Sequence, residues 1–231
     1  MFVHARVLAG SGLLWSNTTA PMVGYGFQDA EIKSGCVLYS SVLYWNATRL
    51  MSEMATATGD HELAATMSAE AERVRKAATK ILWNEELGVF MASTGLEKLN
   101  VDIWGNAMAG AMGFTTAAQD AKMFAYFQAN EDKIFYEGQV REIPFPTQWT
   151  DTSTVDGLDP NAPSDPQATQ RVYQNGGYWA TPHHHVLPWL GRHSKAMACR
   201  LLNDTAKSYR SHGIWYAPLC RLTARPDRYR T

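Results

Sequence analysis

The sequence predicts an all-α fold assembled from helical hairpins, and three observations predict it. Apolar residues recur at i, i+3 and i+4 in paired segments, joined by turns short enough to make αα-hairpins. The breaks between segments carry helix-stop and helix-start residues, notably Gly59-Asp60 and Gly113. Asp29, Asp102 and Asn175 also recur at a spacing of 73 residues, each in an aromatic- or amide-rich stretch that stands before a helix-like run.

The first helix is expected from Ser34 to about Thr58, where Val37, Leu38, Val42, Leu43, Trp45, Leu50, Met51 and Met54 keep helical spacing. Gly59 ends that helix, and Asp60 is the expected N-cap of the next, an Ala-rich segment reaching about Leu82. Glu70, Glu72, Arg73, Arg75 and Lys76 lie on its solvated face. Residues 83–92 suit a short β-hairpin. A second helical pair is expected at Val101–Gly113 and Thr115–Asn130. A long loop, about Tyr136 to Arg171, holds Pro144, Pro146, Pro160, Pro163 and Pro166, and loops of that length are usually functional or disordered. The third pair is expected at Gly177–Leu190 and Arg192–His212. In each pair the first helix is the more apolar, as an inner ring surrounded by an outer ring requires.

Bulk properties exclude several function classes. The chain has 231 residues with 45% hydrophobic and 19% charged content, ordinary for a protein that buries a core. A net charge of −1 gives no electrostatic case for nucleic acid or an anionic membrane. No stretch approaches the roughly 20 apolar residues of a membrane helix. The first 15 residues, interrupted by His4, Arg6 and Gly10, make a poor signal peptide. Cys36, Cys199 and Cys220 give neither a disulfide framework nor zinc spacing. Asn17, Asn46 and Asn203 begin glycosylation acceptor triplets, two of them inside expected helices, so the compartment stays open.

The loop stretches carry the chemistry. A sugar offers hydroxyls round its edge and C–H groups on its faces, so Asp, Asn, Gln and Arg suit the edge while Trp and Tyr suit the faces. Gln28, Asp29, Asp102, Trp104, Gln139, Arg141, Tyr173, Gln174, Asn175, Tyr178 and Trp179 supply both kinds. The competing reading of the same residues is helix capping and interlayer packing. Lys33 is placed to pair with Asp29 or Glu31, and Glu137 and Glu142 flank Gln139 and Arg141. His183, His184 and His185 do not make a metal site, because consecutive helical residues point about 100° apart. They are expected to line a pocket mouth or cap a helix. No nucleophile elbow, phosphate loop or dinucleotide fingerprint is present, and no cofactor or metal is expected.

Tyr25-Gly-Phe-Gln-Asp29 with Lys33-Ser-Gly35, Asp102-Ile-Trp104, Gly138-Gln-Val-Arg141 and Tyr173-Gln-Asn-Gly-Gly-Tyr-Trp179 resemble the six-hairpin glycosidases. That (α/α)6-toroid clan includes glucoamylases, trehalases and invertases of the same clan. The similarity covers about residues 22–213, and the order and spacing of the stretches strengthen it. It implies a carbohydrate substrate or ligand and an inverting mechanism with two carboxyl groups, one acid and one base. Asp29 matches the aspartate that holds the sugar in the cleaved subsite, though Asp also serves well as an N-cap. The Asp-x-Trp stretch lies near the general acid, and in glucoamylases a Glu directly follows the Trp. Here Gly105 stands in that place, so Asp102 is the nearest carboxylate, as acid or as hydroxyl binder.

The family's base comes from beyond the Tyr-x-Asn-Gly stretch, and here only Asp204 and Asp227 follow Trp179. The expected organisation is a partial toroid domain over residues 1–214, about three of six hairpins, and an atypical tail at 215–231. That tail, with four Arg and two Pro and no helical period, is expected to reflect a truncated or altered reading frame. An open half-ring leaves apolar edges that favour self-association. The expected function is therefore a glycoside hydrolase. A catalytically degenerate carbohydrate-binding relative and a helical scaffold are the alternatives.

Overall fold

In a computed structural model of the chain, residues 11–16, 33–95, 98–147 and 177–212 are described. They form seven helices, α1 Leu38–Thr58, α2 His61–Ile81, α3 Ile103–Met112, α4 Ala117–Ala129, α5 Glu131–Ile134, α6 His183–His193 and α7 Lys195–His212. Seven short strands stand between them, β1 Trp15–Ser16, β2 Gly35–Cys36, β3 Trp83–Asn84, β4 Val89–Phe90, β5 Phe135–Tyr136, β6 Gln139–Arg141 and β7 Tyr178–Trp179.

Local chemistry sets the hairpins. Gly59 takes a left-handed φ of 83°, and its N–H closes on Ala55 O and Thr56 O, ending α1. One residue on, the Asp60 carboxylate accepts from Leu63 N at 3.0 Å and starts α2. Gly113 repeats the stop with φ 77°. Thr116 and Gln119 then make a reciprocal capping box for α4.

α1, α3 and α6 form an inner row, with α3 packed on both α1 and α6. α2, α4 and α7 are their outer partners. Every residue from Ile103 to Gly110 is buried, as a helix apolar on all sides must be. α2 instead buries only Ala64, Ala71, Val74 and Ala78. Between the layers, the Trp45 and Phe114 rings meet edge-on at 5.2 Å, and Trp83 meets Phe90 at 4.9 Å. The fold is thus all-α, built of helical hairpins of the toroid type with short β-hairpins between them. β3–β4 is the expected hairpin after α2.

The boundaries that differ most from the sequence expectation each have a local cause. α1 starts at Leu38 rather than Ser34, because Gly35 sits at φ 75° and pairs with Ser16 in the β1–β2 ladder. The expected loop from Tyr136 begins as strand. Glu137 (φ 47°) and Gly138 (φ 77°) form a two-residue turn with both central residues left-handed, and β5 and β6 pair across it. α6 starts at His183 rather than Gly177, because Tyr178–Trp179 joins β6 as a third strand.

Candidate functional site

β5, β6 and β7 sort their side chains by alternation. Tyr136 stands opposite Gln139, and Arg141 opposite Tyr178, so these four share one face of the sheet. Phe135, Val140 and Trp179 share the other, which packs into the core. Ring geometry agrees: Tyr136 and Tyr178 lie 5.5 Å apart, and the Arg141 guanidinium is 6.0 Å from the Tyr178 ring and 5.3 Å from Phe145. Arg141 also donates to the Thr147 carbonyl at 3.0 Å. Gln139 Nε2 and the Tyr178 hydroxyl are buried and meet no hydrogen-bond partner among the described residues. Two buried polar groups left in that condition are costly unless a ligand or water answers them.

The strand leads directly to the helix rim. Glu142 comes next after Arg141, and its carbonyl accepts from Ile103 N at 2.7 Å, the first residue of α3. Asp102 caps that helix, its Oδ1 accepting from Gly105 N at 2.7 Å. Its Oδ2 accepts from Lys33 Nζ at 3.0 Å, and Lys33 donates to Glu142 Oε1 as well. All three side chains are at most 1% exposed. Asn106 adds a clamp of its own: Nδ2 donates to Phe90 O and to Asp102 O, each at 2.8 Å, while Oδ1 accepts from Phe90 N at 2.9 Å. Asp102 and the Gln139–Arg141 strand are therefore brought together at one end of the inner row.

Trp104 and Trp179 are both buried in the core cluster rather than on the face with Tyr178. Gln28, Asp29, Tyr173 and Asn175 lie outside the described residues, as do Glu31 and the tail. His183 opens α6. Burial pushes its pKa down from the usual histidine range, against an upward pull from the Gly138 backbone. His185 is pushed down to about 4 by burial and then by His184. Among the described residues no group of three or more His, Cys, Asp or Glu is arranged to hold a metal. Tyr136 also lines a cleft of about 740 Å³ beside α7, with Phe135, Glu137, Arg200, Asp204 and Ser208.

The family model of the mannosylglycerate hydrolase MGH1-like glycoside hydrolase domain matches residues 25–215. The chain belongs to this family. The resemblance to six-hairpin glycosidases drawn from its motifs holds at that level. Among solved structures, this MGH1-like domain is similar to a sialidase, with a TM-score of 0.63 at 11% identity. The match covers 87% of this chain and 18% of the sialidase chain, so the likeness is one of fold. No curated protein matches the sequence.

Sequence reasoning about this MGH1-like domain left Asn106 out and gave Lys33 and Glu142 no shared role. Asn106 had a signal: an amide in the middle of a wholly apolar helical run is expected to have a partner, and here the partner is a strand backbone.

Proposed function

We propose that the chain binds a carbohydrate on the Tyr136–Gln139–Arg141–Tyr178 face and hydrolyses its glycosidic bond by the two-carboxyl inverting route. The observation that supports this most is a pair of buried polar groups left unanswered among the described residues, Gln139 Nε2 and the Tyr178 hydroxyl, beside the Arg141 guanidinium. Donors and acceptors in that arrangement suit the hydroxyl edge of a sugar ring, with the tyrosine rings against its C–H faces. Trp104 and Trp179 then serve as the floor beneath the site. Both Asp102 oxygens are committed, to a helix N-terminus and to Lys33. The proton-donor role accordingly passes to Asp29 in this reading, and Asp102 anchors the rim. Gln28, Tyr173 and Asn175 complete the sugar contacts. The domain ends near residue 214, in keeping with a family match that stops at 215, and 215–231 is a tail.

Isothermal titration with mannosylglycerate, after which the family is named, and with mannose and glucose disaccharides tests the binding claim. Tyr178→Phe should weaken binding by about five- to tenfold, the loss of one hydrogen bond, without unfolding the protein. No heat from any of these sugars would end the reading. Asp29→Asn should abolish release of phenol from an aryl glycoside that the wild type cleaves.

A second reading, a binding protein without catalysis, is favoured by Gly105. A Cβ there would stand 2.8 Å from Asp102 Oδ2 and 3.2 Å from Leu38 Cδ2, so the glutamate that follows the Trp in glucoamylases does not fit this rim. Sugar binding without turnover would select it.

Self-association is proposed through α1, whose Leu43, Leu50, Met51 and Met54 are exposed. A second copy laid against this face would cover those four side chains. Light scattering should show a wild-type dimer that Leu50→Lys splits; a wild-type monomer ends the idea.

A further inference from the structure

We infer that Lys33 is a positioning residue, whose ammonium holds Glu142, and with it the strand carrying Gln139 and Arg141, against the capped end of α3. The inference rests on the sugar-binding reading for its purpose, not for its geometry.

Lysine is rarely buried without paired charge, and Lys33 is fully buried. Among the described residues, the charged and titratable groups facing its ammonium are Asp102 at the cap of α3, Glu142 at the end of β6 and the Tyr39 ring of α1, 5.9 Å away. The two carboxylates come from segments 69 and 109 positions distant from Lys33. One cation thus bridges two carboxylates that the backbone already forces together, since Ile103 N is bonded to Glu142 O. Without the ammonium, two buried carboxylates face each other, and like charges in such a place favour uptake of a proton by one of them. The Gln139–Arg141 strand is three residues long and pairs with two-residue strands on either side, so its ladder is short. Glu142, the residue directly after it, is its anchor at the α3 end.

The test compares wild type, Lys33→Met, Lys33→Arg and the double variant Lys33→Met with Glu142→Gln. In Lys33→Met the folded state binds a proton that the unfolded chain releases, so its stability falls relative to wild type as pH rises from 5 to 8. For one proton the unfolding constant changes by up to about tenfold per pH unit. Glu142→Gln in the same background should restore the wild-type slope, and Lys33→Arg should keep it. A Lys33→Met slope equal to wild type, or one that Glu142→Gln leaves unaltered, overturns the inference. If Lys33→Met does not fold, recovery of folded protein in the double variant supports it, and failure of both overturns it.

Positioning itself is read by amide exchange in the double variant. Peptides over residues 135–147 should exchange at least tenfold faster than in wild type while those over 38–81 do not change. Equal rates in both regions overturn the positioning role. Affinity for mannosylglycerate should fall with the faster exchange. If the wild type binds no sugar, the functional reading fails while the slope and exchange still decide the role of Lys33.

Discussion

Gly105 donates its backbone N–H to Asp102 Oδ1 at 2.7 Å, and a Cβ on Gly105 would stand 2.9 Å from the Asp102 carboxyl carbon. Cap and glycine therefore depend on each other. A side chain at 105 must push the carboxylate off the helix end and away from Lys33.

Gly105→Ala is expected to destabilise the protein by about 1–3 kcal/mol, the usual range for overpacking a filled site, despite alanine's better helix propensity. Gly105→Glu should cost more and should not create a general acid. Urea unfolding of both variants checks the order, and a stabilised Gly105→Ala would refute the interdependence.

A second junction ties the outer layer to the inner one. Asp120 of α4 accepts from the Trp189 indole at 2.9 Å and meets His193 Nε2 at 2.8 Å, both on α6. Trp189 is fully buried. Asp120→Ala leaves the indole N–H without its acceptor, and the expected loss is about 1–3 kcal/mol. Asp120→Asn keeps an oxygen for Trp189 and should lose less. Equal losses in the two variants would show that the indole bond is not what matters.

The helical breaks were legible in the sequence because they are local: Gly59 with Asp60, and Gly113, act through their own turns. The burial of α3 was legible for the same reason, as a run of apolar residues without a polar face. The site was legible only in part. Tyr178 and Trp179 are adjacent and similar in character, yet strand alternation sends one to the polar face and the other to the core. Three residues of β6 are too few for a period of two to stand out from a Pro-rich stretch. Lys33 has carboxylates near it in sequence, so its pairing with Asp102 and Glu142 emerges only from the packing of separate hairpins.

The histidines that open α6 make stability depend on pH. The pKa of His185 is lowered to about 4 and that of His183 is lowered too, chiefly by burial. The unfolded chain therefore binds protons that the folded state does not, beginning near the ordinary histidine value of about 6.5. Stability is fully present above that value and is lost as pH falls toward 4. Part of each ring remains solvated, so the loss is smaller than full burial of two neutral histidines would give. Replacing both histidines with Gln should flatten the difference between stabilities at pH 7 and pH 4.5. An unchanged difference would assign the pH dependence to carboxylates.

The β5–β6 turn predicts a coupled loss of stability and binding. Gly138 has φ 77° and packs on the backbone of Asp204 and Thr205 in α7, and Thr205 Oγ1 donates to its carbonyl at 2.7 Å. Gly138→Ala carries a left-handed backbone penalty of about 1–2 kcal/mol, and its methyl also presses on a helix backbone that has no rotamer to yield. The turn must then lift from α7, and Gln139 moves with it. Thr205→Val removes the hydroxyl bond without adding bulk at 138, so it should cost about 1 kcal/mol and leave Gln139 in place. Unfolding curves and sugar titration on both variants separate the effects: Gly138→Ala should lose affinity as well as stability, Thr205→Val stability alone. Matching affinity losses in the two would mean that α7, rather than the turn conformation, sets the position of the sugar face.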